Sequence, residues 1–198
     1  MEKKFILTDK FVINSFGIKL FQIKCTKSFK YAQKGDFGGY VEKEGNLDQE
    51  NDAWVFGNAR VFGNARVSSN ARVSGDAWVS GDALVSGDAW VSGDARVFGN
   101  ARVSGDAWVS GNAWVSGDAD IENDNEHCGF DGFGSCNRHT HAYMTKEKKV
   151  EIICGCFRGS IEEFEKKVEE THSGTVYEKQ YKSIINVIKI KFGLTDFT

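Results

Sequence analysis

Between Asp52 and Asp124 the chain repeats one short pattern of apolar and polar positions. Alanine falls at 53, 59, 65, 71, 77, 83, 89, 95, 101, 107, 113 and 119, valine follows two residues later, and Ile121 closes the series. The unit is Asp/Asn-Ala-x-Val-Ser/Phe-Gly, repeated as twelve hexads without an insertion. Ala and Val two residues apart lie on one side of a short strand, and the residue between them points the other way. Gly with Asp or Asn then supplies a turn, because these residues tolerate positive φ. A turn every six residues leaves strands too short for hairpins, so stacked coils in a parallel ladder are predicted. The sequence therefore predicts a β-solenoid with Ala and Val filling a narrow interior.

The flanking segments follow other patterns. Residues 1–50 alternate through "KFILTDKFVIN", a "SFG" turn and "IKLFQIKCT", which predicts a small β unit capping the open end of the coils. The lead-in "KGDFGGYVEKEGNLDQEN" brings Val41 and Leu47 into the period of the later alanines. In residues 125–198, "HTHAYMT" and "VEIICGCF" predict a hairpin around "KEKK". Ser160 to Glu163 reads as a capping box opening a helix with Ile161, Phe164 and Val168 on one face, ending at Ser173-Gly174. A second helix is predicted from Val176 to Phe192, carrying Tyr177, Tyr181, Ile184, Ile185 and Ile188. The expected division is 1–50, 51–124 and 125–198.

The hexads resemble the hexapeptide-repeat family, whose inward aliphatic and small residues match Val55 and Ala59 through Val115 and Ala119. Here the glycine comes two residues after the aliphatic, as in Val73-Ser74-Gly75, where the common pattern puts it one after. The resemblance implies a left-handed parallel β-helix with three hexads per triangular coil, hence four coils. The expected fold class is mainly β, with a small N-terminal β cap and a C-terminal α+β unit. Nearly the whole chain also resembles a group of such proteins from phages, prophages and gut bacteria. That likeness rests on Gly35 to Gly39 before the coils and on a Cys-Gly-Cys-Phe strand, Cys154 to Phe157, before the Glu-Phe-Glu helix.

Charge narrows the partners little. Lys and Arg total 25 and Asp and Glu 28, a net charge of −3. That balance argues against a nucleic-acid coat. The excess is local: residues 51–124 carry five arginines against ten carboxylates. No apolar run reaches the length of a membrane span, and the N-terminus has no hydrophobic signal core. The five cysteines, an odd and sparse set, suit a reduced setting, so a cytoplasmic protein is expected, in host cytoplasm if phage-encoded.

The resembled acyltransferases use a histidine base on the coils, and the related zinc carbonic anhydrases use three. All four histidines here, 127, 139, 141 and 172, lie beyond the repeat. No catalytic residue, cofactor or metal is therefore expected. His127, Cys128, Cys136, His139 and His141 are close in sequence, but their spacing suits structural zinc poorly. The strand cysteines read as small buried hydrophobes. His139 and His141 share a strand face that solvent can reach.

The outward letters carry more information. With three hexads per coil, residues 18 apart stack, giving one face of Trp54, Arg72, Trp90 and Trp108. The second face reads Arg60, Trp78, Arg96, Trp114, and the third Arg66, Leu84, Arg102, Asp120. Trp and Arg are the residues enriched in binding hot spots, and guanidinium groups stack on indoles. Such ladders stiffen a surface, join copies of the chain, or grip a foreign partner. The candidate binding residues are Trp54, Arg60, Arg72, Trp78, Trp90, Arg96, Trp108 and Trp114. The expected function is a non-enzymatic binding protein, a homo-oligomer (trimer or dimer). The phage resemblance adds inhibition of a bacterial defence system, by binding a host protein complex or trapping a nucleotide ligand. An acyltransferase-like enzyme using His139 or His141, and an oligomeric scaffold, are the alternatives.

Overall fold

A computed structural model describes residues 2–194; Met1 and residues 195–198, at the outer ends of the first and third segments, lie outside the described residues. Strands β1 (Phe5–Ile13), β2 (Lys19–Cys25) and β3 (Phe37–Val41) precede the repeat. Two-residue strands then recur every six residues from Trp54–Val55 to Asp120–Ile121, making β4 to β15. Strands β4 to β12 each pair in parallel with the strand 18 residues on, as in Trp54↔Arg72, Arg60↔Trp78 and Arg66↔Leu84. Three hexads therefore make one coil. The chain forms a parallel β-solenoid with three sheets, β13-β10-β7-β4, β15-β12-β9-β6, and one that runs β3-β5-β8-β11-β14.

Successive coils are tied by backbone bonds such as Arg72 N to Ala89 O and Ser74 N to Val91 O, both 2.9 Å. Every repeat alanine and valine is buried. The corner glycines are required twice over. Gly87 has φ of 67°, and a Cβ on it would stand 2.8 Å from the backbone N of Gly105 one coil on. Only a residue without a side chain meets both conditions cheaply.

The four expected coils are preceded by a fifth, partial turn. Val41 pairs with Val61 and Leu47 bridges Val67, each twenty residues apart. The lead-in thus takes the valine register, not the alanine register that its period suggested. The two additional residues fit into the corner between Asp48 and Asp52, where Asp48 accepts from Glu50 N and from Asn51 Nδ2. Gly39 then falls opposite Ala59. Buried Asn46 donates to the carbonyls of Gly63 and Ala65, at 3.1 and 2.8 Å.

The N-terminal hairpin continues the third sheet, β2 pairing antiparallel with both β1 and β3. Phe5 and Ile23 join the solenoid core from this unit. The buried Lys4 ammonium closes the end by donating to Asn51 O at 2.5 Å and Ala53 O at 2.9 Å.

At the other end stands a four-stranded antiparallel sheet of β16 (His127–Phe133), β17 (Arg138–Met144), β18 (Val150–Cys154) and β19 (Phe157–Ser160). The expected hairpin is its inner pair, β17 and β18. Helices α1 (Ile161–His172) and α2 (Val176–Lys191) follow. The predicted capping box is present: Glu163 N donates to Ser160 Oγ, and Ser160 N to Glu163 Oε2. Phe164, Tyr181, Ile185 and Ile188 cover the outer face of this sheet, against Ala142, Ile152 and Cys154. Tyr143 and Ile153, on the inner face, join the solenoid core, and Ala119 bridges Thr145. The sheet is thus a lid buried on both sides.

Two local expectations are corrected. Cys-Gly-Cys-Phe is not a continuous strand: Gly155, at φ 60°, and Cys156 form the turn between β18 and β19. Cys154 is therefore buried while Cys156 is exposed. His141 is not an exposed strand residue either, because its face of β17 is pressed onto the last coil.

Candidate functional site

The outward residues stack in the columns their 18-residue spacing implies, and the columns differ in use. In the first, Trp54 is 1% exposed. The N-terminal unit covers it, with Phe29 and Phe5 rings edge-on at 5.3 and 6.3 Å. It is a core residue and no contact surface, which corrects its place among the binding candidates. Arg72 lies over Trp90 at 4.5 Å and near Tyr31 at 5.5 Å. Trp90 and Trp108 stack on each other, and Trp108 remains 50% exposed.

In the second column the Arg96 guanidinium sits between two indoles, 5.2 Å from Trp78 and 5.3 Å from Trp114, while Arg60 covers the far side of Trp78 at 5.3 Å. Phe62 and Phe16 pack edge-on to Trp78, and Phe98 to Trp114. Together they wall an open groove of about 180 Å³. The eight candidates therefore divide between two columns and do not form one site. In the third column Arg102 and Asp120 stand 3.9 Å apart.

Trp114 has a second neighbourhood. It also lines a cleft of about 300 Å³ between the last coil and the lid, with Asn112, Asp131, Asn137, Arg138 and His139. Asp131 Oδ1 accepts from Asn112 at 3.3 Å and lies 2.8 Å from His139 Nδ1. Burial raises the Asp131 pKa, but these bonds outweigh it and the net shift is downward. His141 Nδ1 lies 2.9 Å from the Trp114 carbonyl, and His127 Nδ1 lies 3.1 Å from His141 Nε2. Burial pushes the His141 pKa down to about 3 and lowers that of His127. Among the described residues no group of three His, Cys, Asp or Glu side chains stands in ready metal-binding geometry.

A family model described as the YdcK β-solenoid repeat matches residues 53–69, 65–81, 77–93 and 95–111. This is a β-solenoid repeat protein. No curated protein matches it. The matches lie within the coils and do not extend to the lid, the N-terminal unit or the cleft. No helix among the described residues of this solenoid protein is long and apolar enough to cross a membrane.

Sequence reasoning missed Phe16, Phe62, Phe98, Asn112 and Arg138. A signal existed for two of them, because Phe replaces Ser as the fifth letter of their hexads. Nothing in the spacing joins Arg138 or His139 to the last coil. Their approach depends on how the lid folds back.

Proposed function

We propose that this protein binds, without chemical turnover, a planar ligand bearing anionic groups, of nucleotide type, along the Trp78–Arg96–Trp114 column. The observation that carries the reading is the double position of Trp114. It forms one wall of the aromatic groove and one wall of the polar cleft. A base stacked on an indole contributes about 1–3 kcal/mol whatever its sequence identity. Guanidinium groups such as Arg96 and Arg138 pair with phosphate oxygens in a planar fork. Asn112 and Asn137 add polar contacts at the cleft end. The likeness to phage and prophage proteins extends the reading to an inhibitor of a bacterial defence system, acting in host cytoplasm by withholding a nucleotide signal. Self-association into a dimer or trimer is assigned to the first column, where Trp108 is the most exposed indole. Titration with a panel of mononucleotides and cyclic dinucleotides, read by tryptophan fluorescence, tests the proposal. Binding by the native chain that is lost in Trp114→Ala supports it; absence of binding to every member removes it.

The transferase-like alternative has one observation in its favour. His139 lines the cleft, Asp131 orients its ring, and its Nε2 is buried with no hydrogen-bond partner, which leaves its lone pair free for a general-base role. Acyl-coenzyme A turnover abolished by His139→Ala would establish that reading in place of the first.

A further inference from the structure

We propose that His127, His139 and His141 form a binding site for one divalent transition-metal ion, Zn²⁺ foremost, on the inner face of the lid. His141 Nδ1 lies 2.9 Å from a carbonyl oxygen, that of Trp114, and must carry the proton. His139 Nδ1 lies 2.8 Å from the Asp131 carboxylate and carries the proton for the same reason. His127 Nε2 faces the Asp124 carboxylate at 3.7 Å. Metal-ligating histidines almost always have this second shell, a carboxylate or carbonyl holding the N–H that points away from the ion. His139 and His141 have it at hydrogen-bond distance, whereas the carboxylate facing His127 stands farther off, at 3.7 Å.

The inner nitrogens are then in conflict. His141 Nε2 presents a lone pair, and His127 Nδ1 faces it at 3.1 Å. If His127 keeps its proton on Nε2, toward Asp124, two lone pairs oppose each other. If the proton moves to Nδ1, His127 Nε2 turns a lone pair toward the carboxylate, and it has no hydrogen-bond partner in the structure. Neither tautomer satisfies both nitrogens: the first opposes two lone pairs at 3.1 Å, and the second, though it donates Nδ1–H to His141 Nε2, leaves the buried His127 Nε2 unpaired, which is costly. A cation shared by the two inner nitrogens removes the conflict. At zinc–nitrogen distances of about 2.1 Å, nitrogens 3.1 Å apart subtend an angle of about 95° at the ion, and a small separation brings this to tetrahedral.

His139 supplies the third ligand. Its Nε2 is buried without a partner, and its ring centroid lies 5.7 Å from that of His141. The three nitrogens do not surround one point as they stand, so His139 is the ligand that swings inward. Gly129 leaves it room. This glycine has no left-handed φ to explain it, yet a Cβ there would stand 2.6 Å from His139 Cε1 and 2.9 Å from Nε2. The fourth position opens on a hollow of about 240 Å³ beside Ser110, where water or a ligand atom completes the shell. Nitrogen-only ligands of this kind suit zinc and its neighbours. The ion would take the lone pair that the transferase reading needs as a base, so the two are exclusive.

The test uses the untagged full chain, stripped with a chelator and titrated with Zn²⁺ against a chromophoric competitor, with no nucleotide present. One ion per chain is expected. His127→Gln and His139→Gln should each weaken binding more than about tenfold, and Asp131→Asn about tenfold through the second shell. Thermal melts of the stripped variants confirm that they fold. Co²⁺ in place of zinc should give a visible spectrum without a thiolate charge-transfer band. Zinc affinity unchanged in the two glutamine variants overturns the proposal, and so does a protein that binds no ion because a proton resolves the conflict. A thiolate band would overturn it too, moving the ion to the cysteines.

Discussion

The indoles of Trp90 and Trp108 lie parallel, ring centroids 5.2 Å apart and planes within 5°. Each Nε1–H donates to a serine of the preceding coil, Trp90 to Ser74 at 2.8 Å and Trp108 to Ser92 at 3.1 Å. Two letters of the hexad, the outward one and the serine, therefore act together across coils. Aromatic pairs contribute about 0.5–1.5 kcal/mol beyond the area they bury. Trp90→Ala loses the stack, the Arg72 contact and a hydrogen bond, and is expected to cost about 2–3 kcal/mol. Trp108→Ala, at the more exposed end, should cost about 1 kcal/mol. Urea unfolding of both variants checks the order.

Ser69 is the only repeat-corner residue among Gly57 to Gly117 that adopts a left-handed φ, 58°, without being glycine. An L-residue pays about 1–2 kcal/mol there, partly offset by the greater unfolded-state freedom of glycine. Ser69→Gly should raise stability by about 0.5–1 kcal/mol, seen as a higher melting temperature. An unchanged or lower value would show that the Ser69 side chain contributes something the glycine corners lack.

Gly39 demonstrates the opposite case. Its φ is ordinary, but a Cβ would meet Ala59 O at 2.6 Å and Val55 Cγ1 at 2.7 Å. Neither neighbour has room to yield, since one is backbone and the other core. Gly39→Ala is expected to destabilise the first turn by about 2–3 kcal/mol. Protease sensitivity should appear first at the N-terminal unit.

Burial pushes the Lys4 ammonium down to about 8, against the opposing pull of Asp48 and Asp52. Its folded pKa lies below its unfolded one, so between about pH 8 and 10.5 the unfolded chain holds more protons. Stability contributed by this group therefore rises with pH across that window, by roughly 3 kcal/mol at most. The rise should be absent from Lys4→Met, whose pH profile subtracts the other titrating groups.

Much of this fold was legible. The Ala-x-Val-x-Gly period marks strands, core and turns, and with the three hexads per coil that the resemblance implies, the 18-residue columns of outward residues follow as well. The twenty-residue step into the first coil was not legible, because the two additional residues hide in a polar corner with no hydrophobic position to mark them. The lid was read as a hairpin because glycines in "HCGFDGFG" disguise its first strand. The cleft was invisible for a related reason: Asn112 and His139 meet only through tertiary folding. Trp54 was misassigned because its outward direction says nothing about what another segment lays over it.

Native mass spectrometry of gently purified protein decides whether the Trp114 column captures a ligand. The expected species is the 22.0 kDa chain, or a multiple of it, carrying an adduct of nucleotide size that is missing from Trp114→Ala prepared in parallel. Bare masses for both proteins, or the same adduct on both, would contradict it.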